Sequence, residues 1–138
     1  MKMNQPIGAA RYGPLLIRLT LGAYFVLAGL GKLQLLSAFV EQVRSFGVLP
    51  TNVAAAYGTL LPYVEIALGG LMILGMWTTL CGILGGLILV SFVCAFGIFP
   101  GSFDIFNKDI ILLGAACSLL YSGPGAFSID NIGKPQPS

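Results

Sequence analysis

Histidine is absent from the 138 residues. That removes His-ligated haem, the common zinc sites and imidazole general-base catalysis together. The three cysteines, Cys81, Cys94 and Cys117, form no C-x-x-C pair, and three ligands so spaced cannot hold an iron–sulfur cluster alone. The expectation is no intrinsic metal or cofactor. Any electrons or metals handled here would belong to a bound small molecule or to a partner chain. Chemistry is left to a few polar side chains: Arg18, Lys32, Glu65, Asn107, Lys108 and Asp109. Lysine and asparagine can donate to a carbonyl oxygen, and a buried carboxyl can take or give a proton.

The elements that carry these residues are strongly apolar. The chain is 57% hydrophobic and 9% charged, and its mean hydropathy is +0.92. A water-soluble domain this small could not hide so much apolar surface, so lipid is the expected solvent. The 19 glycines suit close helix approach in lipid. A net charge of +2, scattered along the chain, excludes a nucleic-acid partner.

Four spans are expected in an all-α membrane bundle, at about residues 15–36, 53–77, 80–99 and 105–122. An amphipathic helix over 37–48, closed by Gly47 and Pro50, is expected at the membrane surface. Thr51 or Asn52 would cap the second span. Pro62 either kinks one long second helix or opens a shorter one. Met76, Trp77, Thr78 and Thr79 form a tight link, and Pro100, Gly101 and Ser102 turn the chain. Residues 110–121 alone rise only ~18 Å as a helix, so the fourth span must extend back to Ile105. Residues 1–13 and 124–138 read as tails, the first interfacial and not a secretory signal. Lys2, Arg11, Arg18 and Lys134 then fall on the side of both termini. The positive-inside bias makes that side cytoplasmic, in a multi-pass protein of the inner membrane.

A charge at the bilayer centre costs about 2.5–3.5 kcal/mol even on the lenient insertion scale. Arg18, Gly22, Phe25, Gly29 and Lys32 share one helical stripe, and Gly58, Pro62, Glu65, Gly69, Met72 and Met76 repeat the pattern. Charges that share a stripe with glycines should face other helices. Antiparallel connection then brings Lys32, Glu65, Asn107, Lys108 and Asp109 together in the outer half, Glu65 soon after the second span begins, with Arg18 deeper on the same face. Blander readings stand beside this one. Arg18 and Lys32 can snorkel to headgroups. Glu65 can be half of a structural ion pair. Asn107, Lys108 and Asp109 can be a helix cap with interfacial charges.

Phe25 to Leu33 (FVLAGLGKL), Pro62 to Ile66 (PYVEI) with Gly69 and Gly70 beyond it, Asn107 to Asp109 (NKD) and Gly123 to Asp130 (GPGAFSID) together resemble the DoxX family of small bacterial and archaeal inner-membrane proteins. The resemblance runs from about Leu15 to Asp130. It implies a four-helix membrane bundle with its polar pattern at Arg18, Lys32, Glu65, Asn107 and Asp109. Members include membrane subunits associated with thiosulfate:quinone oxidoreductase, and others linked to thiol and oxidative-stress systems. The longer thiosulfate-oxidising subunits have extra regions that nothing in this chain matches. Related methylamine-utilisation membrane proteins point to redox maturation, yet no paired cysteines here support thiol exchange.

Three functions compete. The first is an accessory subunit, not a stand-alone enzyme, of a quinone-linked redox or oxidative-stress system. The second is a scaffold that holds a soluble enzyme at the bilayer, its polar cluster only locking helix register. The third is a small transporter or proton path, for which four helices are few and no paired broken helices are present. Expected partners are the bilayer and either another protein or further copies of the chain.

Overall fold

The structure, a computed structural model, describes residues 7–96 and 107–135. Among these residues five α-helices come in order: α1 Tyr12–Gln34, α2 Leu36–Ser45, α3 Thr51–Leu74, α4 Thr78–Phe96 and α5 Lys108–Ser122, then a 3₁₀ turn at Ile129–Asn131. Among the described residues no strand is present. Three helices, α1, α3 and α4, are long and apolar enough to cross a membrane. Their outer faces expose Leu16, Leu27, Leu60 and Leu87, which lipid would solvate and water would not. The protein is therefore a multi-pass membrane protein.

Helix α1 packs chiefly on α3, α4 packs on α5, and contacts between α1 and α5 and between α3 and α4 close the ring. The α1–α3 seam is built from glycines. A Cβ on Gly69 would fall 2.5 Å from the Gly22 carbonyl oxygen, and one on Gly29 would fall 2.7 Å from that of Pro62. Absence of side chains lets the two backbones touch. Leu21, Phe25, Leu68, Met72, Leu89 and Phe92 fill the centre, with Phe25 reaching Gly85 of α4.

Several boundaries differ from the sequence expectation. Helix α1 starts at Tyr12, inside the stretch assigned to a tail, because Pro14 is tolerated in a first turn. A single residue, Leu35, separates α1 from α2. Neither Thr51 nor Asn52 caps α3. Pro50 precedes the helix, and no side-chain cap bond forms. Pro62 lies inside one uninterrupted helix. Gly75 ends α3 at φ +71, and the N–H groups of Gly75 and Met76 return to the carbonyls of Met72 and Leu71 at 3.0 Å each. That double closure needs a left-handed residue, hence glycine. The turn placed at Pro100, Gly101 and Ser102, the last residues of the third expected span, and Ile105 and Phe106 of the fourth lie outside the described residues. Helix α5 has 15 residues, or ~22 Å of rise.

The expected C-terminal tail is the largest difference. Residues 123–134 fold back over one end of the bundle. The Ala126 N–H donates to the Arg11 carbonyl at 3.0 Å, and the Asp130 N–H to that of Gly75 at 3.0 Å. Ser128 Oγ also donates to the Gly75 carbonyl, at 2.7 Å. The Asp130 carboxylate accepts from the N–H groups of Trp77 and Thr78 at 2.9 Å each, so a residue 52 positions away along the chain caps the start of α4. Burial alone would push the Asp130 carboxyl up. The N–H groups of Thr78 and Trp77 and the Lys134 charge outweigh it and hold the group below its ordinary value of 3.8. A depressed folded value stabilises the fold at pH above the ordinary value, and the contribution disappears as pH falls through the lower folded one. Asp130→Ala is expected to cost about 0.5–2 kcal/mol, as loss of a helix cap does. Thermal melting of wild type and variant should show that gap at neutral pH and its closure as the pH falls through the lowered folded value of Asp130.

Candidate functional site

Lys32 and Glu65 come together because the α1–α3 register places Gly29 over Pro62. Lys32 Nζ donates to Glu65 Oε1 at 2.6 Å. Glu65 is fully buried, whereas the Lys32 side chain keeps 19% of its surface. The ammonium also stands 4.3 Å from the centre of the Phe92 ring and 5.3 Å from that of Phe39, so two aromatic faces help to replace its water. Glu65 Oε2 is buried without a hydrogen-bond partner.

The start of α5 supplies the second carboxyl. Asn107 caps that helix, its Oδ1 accepting from the Asp109 N–H at 3.0 Å. This turns the Asp109 side chain inward, where it is 4% exposed and accepts from Tyr24 Oη of α1 at 3.1 Å. Lys108 points the other way. It is 71% exposed, with its Nζ 4.0 Å from Asp109. The Lys32 ammonium is thus paired with one buried carboxyl, Glu65, and lines a common recess with the other, Asp109, beside which Lys108 is a second cation. The recess, of about 520 Å³, has a lining that includes Lys32, Lys108 and Asp109 but not Glu65, with Tyr24, Phe39 and Phe92 as its aromatic wall. Its size falls within the range of small-molecule sites, about 300–1,000 Å³.

Glu65 stands 14 residues into α3, ~21 Å from its start, where the sequence reading put it near that start. The cause is that α3 runs unbroken through Pro62 from Thr51. Helix α2 packs on the first half of α3, with Val40 against Gly58, and the glycine contacts of α1 fall on the second half. Arg18 stands apart from the other polar residues. It is 14 residues before Lys32 on one continuous helix, ~21 Å away. It neither snorkels nor joins them: it is buried and donates to the carbonyls of Pro124 at 2.8 Å, Phe127 at 3.1 Å and Ala126 at 3.4 Å. Its role is to hold the returning C-terminal segment.

Sequence reasoning missed Tyr24, Phe39 and Phe92. Tyr24 left one signal, a hydroxyl inside an apolar span, which needs a partner when buried. The aromatic faces left none, since Phe92 in a span and Phe39 on the apolar side of an amphipathic helix both read as ordinary packing.

The family model of methylamine utilisation protein MauE matches residues 10–102. The chain belongs to the MauE family. No curated protein matches it, and no solved structure does. The part matched to MauE holds Arg18, Lys32 and Glu65, the glycine seam and Tyr24. Asn107, Lys108 and Asp109 lie beyond it. Within this MauE-family chain the half of the site contributed by α1 and α3 therefore lies inside the family match, and the half contributed by α5 lies outside.

Proposed function

We propose that this protein is an accessory subunit of a quinone-linked redox system, set in the cell's inner membrane with both termini cytoplasmic. The observation that carries the reading is the Lys32–Glu65 pair, whose Lys32 lines one aromatic recess together with Tyr24 and Asp109. Lysine has N–H donors beyond the one that Glu65 accepts, and these suit a quinone carbonyl. Glu65 Oε2 lacks a hydrogen-bond partner, which leaves it open to a proton. Phe39 and Phe92 offer faces to a flat ring. A quinone supplies two-electron chemistry coupled to two protons. The chain's residues bind the ring and move the protons, and the electrons come from a partner enzyme.

The methylamine-utilisation name of the matching family and the DoxX-like motifs both favour a redox assembly. Helix α5 serves as the fourth crossing in this reading. Arg11 and Ala126 are hydrogen-bonded, so the start of α1 and the segment after α5 lie at one end of the bundle. Helix α4 leaves that same end at Thr78, and the chain must return before Ser122.

The test is quinone content after purification from native membranes. Wild type should carry close to one quinone per chain, measured by solvent extraction and chromatography. Lys32→Met should carry about tenfold less or lower, the effect of losing a charge-assisted hydrogen bond. Tyr24→Phe, a milder change, should fall in between. Wild-type protein with no more quinone than an unrelated membrane protein from the same membranes would reject the reading.

A further inference from the structure

We propose that residues 123–134 are a membrane-interface anchor whose partner is the headgroup layer of a phospholipid bilayer. The proposal is independent of what the recess binds.

Four large side chains project outward at this end of the bundle: Tyr121, 96% exposed, Phe127, 81%, Ile132, 77%, and Trp77, 63%. Two of them are held there against local preference. Among the described residues, Trp77 at φ +50 and Phe127 at φ +51 are the non-glycine residues with positive φ, a region that bulky residues rarely adopt. Long-range bonds impose both. Arg18 Nη2 donates to the Phe127 carbonyl at 3.1 Å, and Asp130 accepts from the Trp77 N–H at 2.9 Å. The fold thus strains two backbones to present two aromatic rings that touch little of the protein itself. Water is a poor destination for such a patch. The lipid–water boundary is a good one, because tryptophan and tyrosine collect there.

Neighbouring groups fit the same partner. Arg11 and Lys134 are exposed at this end and suit lipid phosphates. The backbone of the segment is largely satisfied from within: Asn131 Nδ2 donates to the Gly125 carbonyl at 2.9 Å, and Arg18 satisfies three further carbonyls. A non-helical segment can rest at a membrane boundary only when its polar groups are satisfied in this way or reach water.

The anchor sets the depth of the polar recess. Tyr24 lies twelve residues beyond Tyr12 in α1, and Asp109 lies twelve residues before Tyr121 in α5. Each distance is ~18 Å of rise. With the aromatic ring of residues at one boundary of a ~30 Å core, Tyr24 and Asp109 sit just past its middle.

Trp77 is the single tryptophan, which makes a direct test possible. Wild type and the double variant Trp77→Phe, Phe127→Trp are placed in phosphatidylcholine vesicles brominated at a shallow or a deep acyl position. Each indole should be quenched about twofold more by shallow than by deep bromines, as expected of a belt residue, and shielded from aqueous acrylamide. If the double variant loses helicity, Trp77→Phe with Ile132→Trp replaces it. Full acrylamide quenching without a bromine response would place the segment in water and overturn the proposal. Stronger quenching by deep bromines would overturn it in favour of a core location. Shielding from both quenchers would overturn it in favour of a protein cover, such as a second copy of the chain.

Discussion

Gly69→Val is expected to break the α1–α3 seam. The first added carbon would lie 2.5 Å from the Gly22 carbonyl oxygen and 2.8 Å from the Val26 nitrogen. Both are backbone atoms, which cannot swing aside as a side-chain end can. The helices must separate or slide, and a slide uncouples Lys32 from Glu65 as well. The expected loss is about 3 kcal/mol or more, at or beyond the upper end of ordinary overpacking. Gly70→Ala is the matched control, since its Cβ would meet nothing within 4 Å. It should be neutral or slightly stabilising, because alanine orders a helix at a lower entropic cost. Thermal melting followed by helical circular dichroism in mild detergent compares the two. Similar melting temperatures for both variants would refute a seam in backbone contact.

Lys32→Met should be the most damaging change of a charge. It strands a fully buried Glu65 beside Asp109, whose own charge repels it. Removing one partner of a buried pair typically costs about 3–5 kcal/mol. The lower part of that range is expected, because the Lys32 side chain keeps some exposure. Glu65→Leu in the same protein should recover much of the loss, since an apolar pair needs no compensation. A double-mutant cycle of unfolding free energies gives the coupling directly. Additive losses would show that the 2.6 Å contact contributes no stability. The cycle also bears on function. A double variant that is stable yet carries no quinone would separate the binding role of the pair from its structural one.

The seam and the pair show how far a single sequence can be read. Glycines and charges at spacings of three and four residues placed Gly22, Phe25 and Gly29 on the buried face of α1, and Gly58, Pro62, Glu65, Gly69 and Met72 on that of α3. Periodicity carries this because a helix turns through a constant angle per residue, so spacing alone defines a face. The apolar composition likewise implied helices that cross a bilayer, because backbone groups in lipid must bond within their own segment.

Depth and long-range closure were not legible in the same way. Whether Glu65 lay near an end or the middle of its helix depended on Pro62 and on where α2 came to rest, and the pattern of α3 is compatible with either. Arg18 shares a stripe with Lys32, yet its partners are carbonyls more than 100 residues further along. Asp130 caps a helix that begins 52 residues earlier. A repeat of 3.6 residues says which way a side chain faces. It says nothing about which distant segment arrives opposite, since that depends on helix register and chain return summed over the whole bundle. Composition and periodicity thus dictated a membrane protein with a polar stripe. The packing of α2 on α3 and the return of the C-terminal segment decided that the stripe divides, one part lining a recess where α1 ends and α5 begins and the other forming a closure at the opposite end.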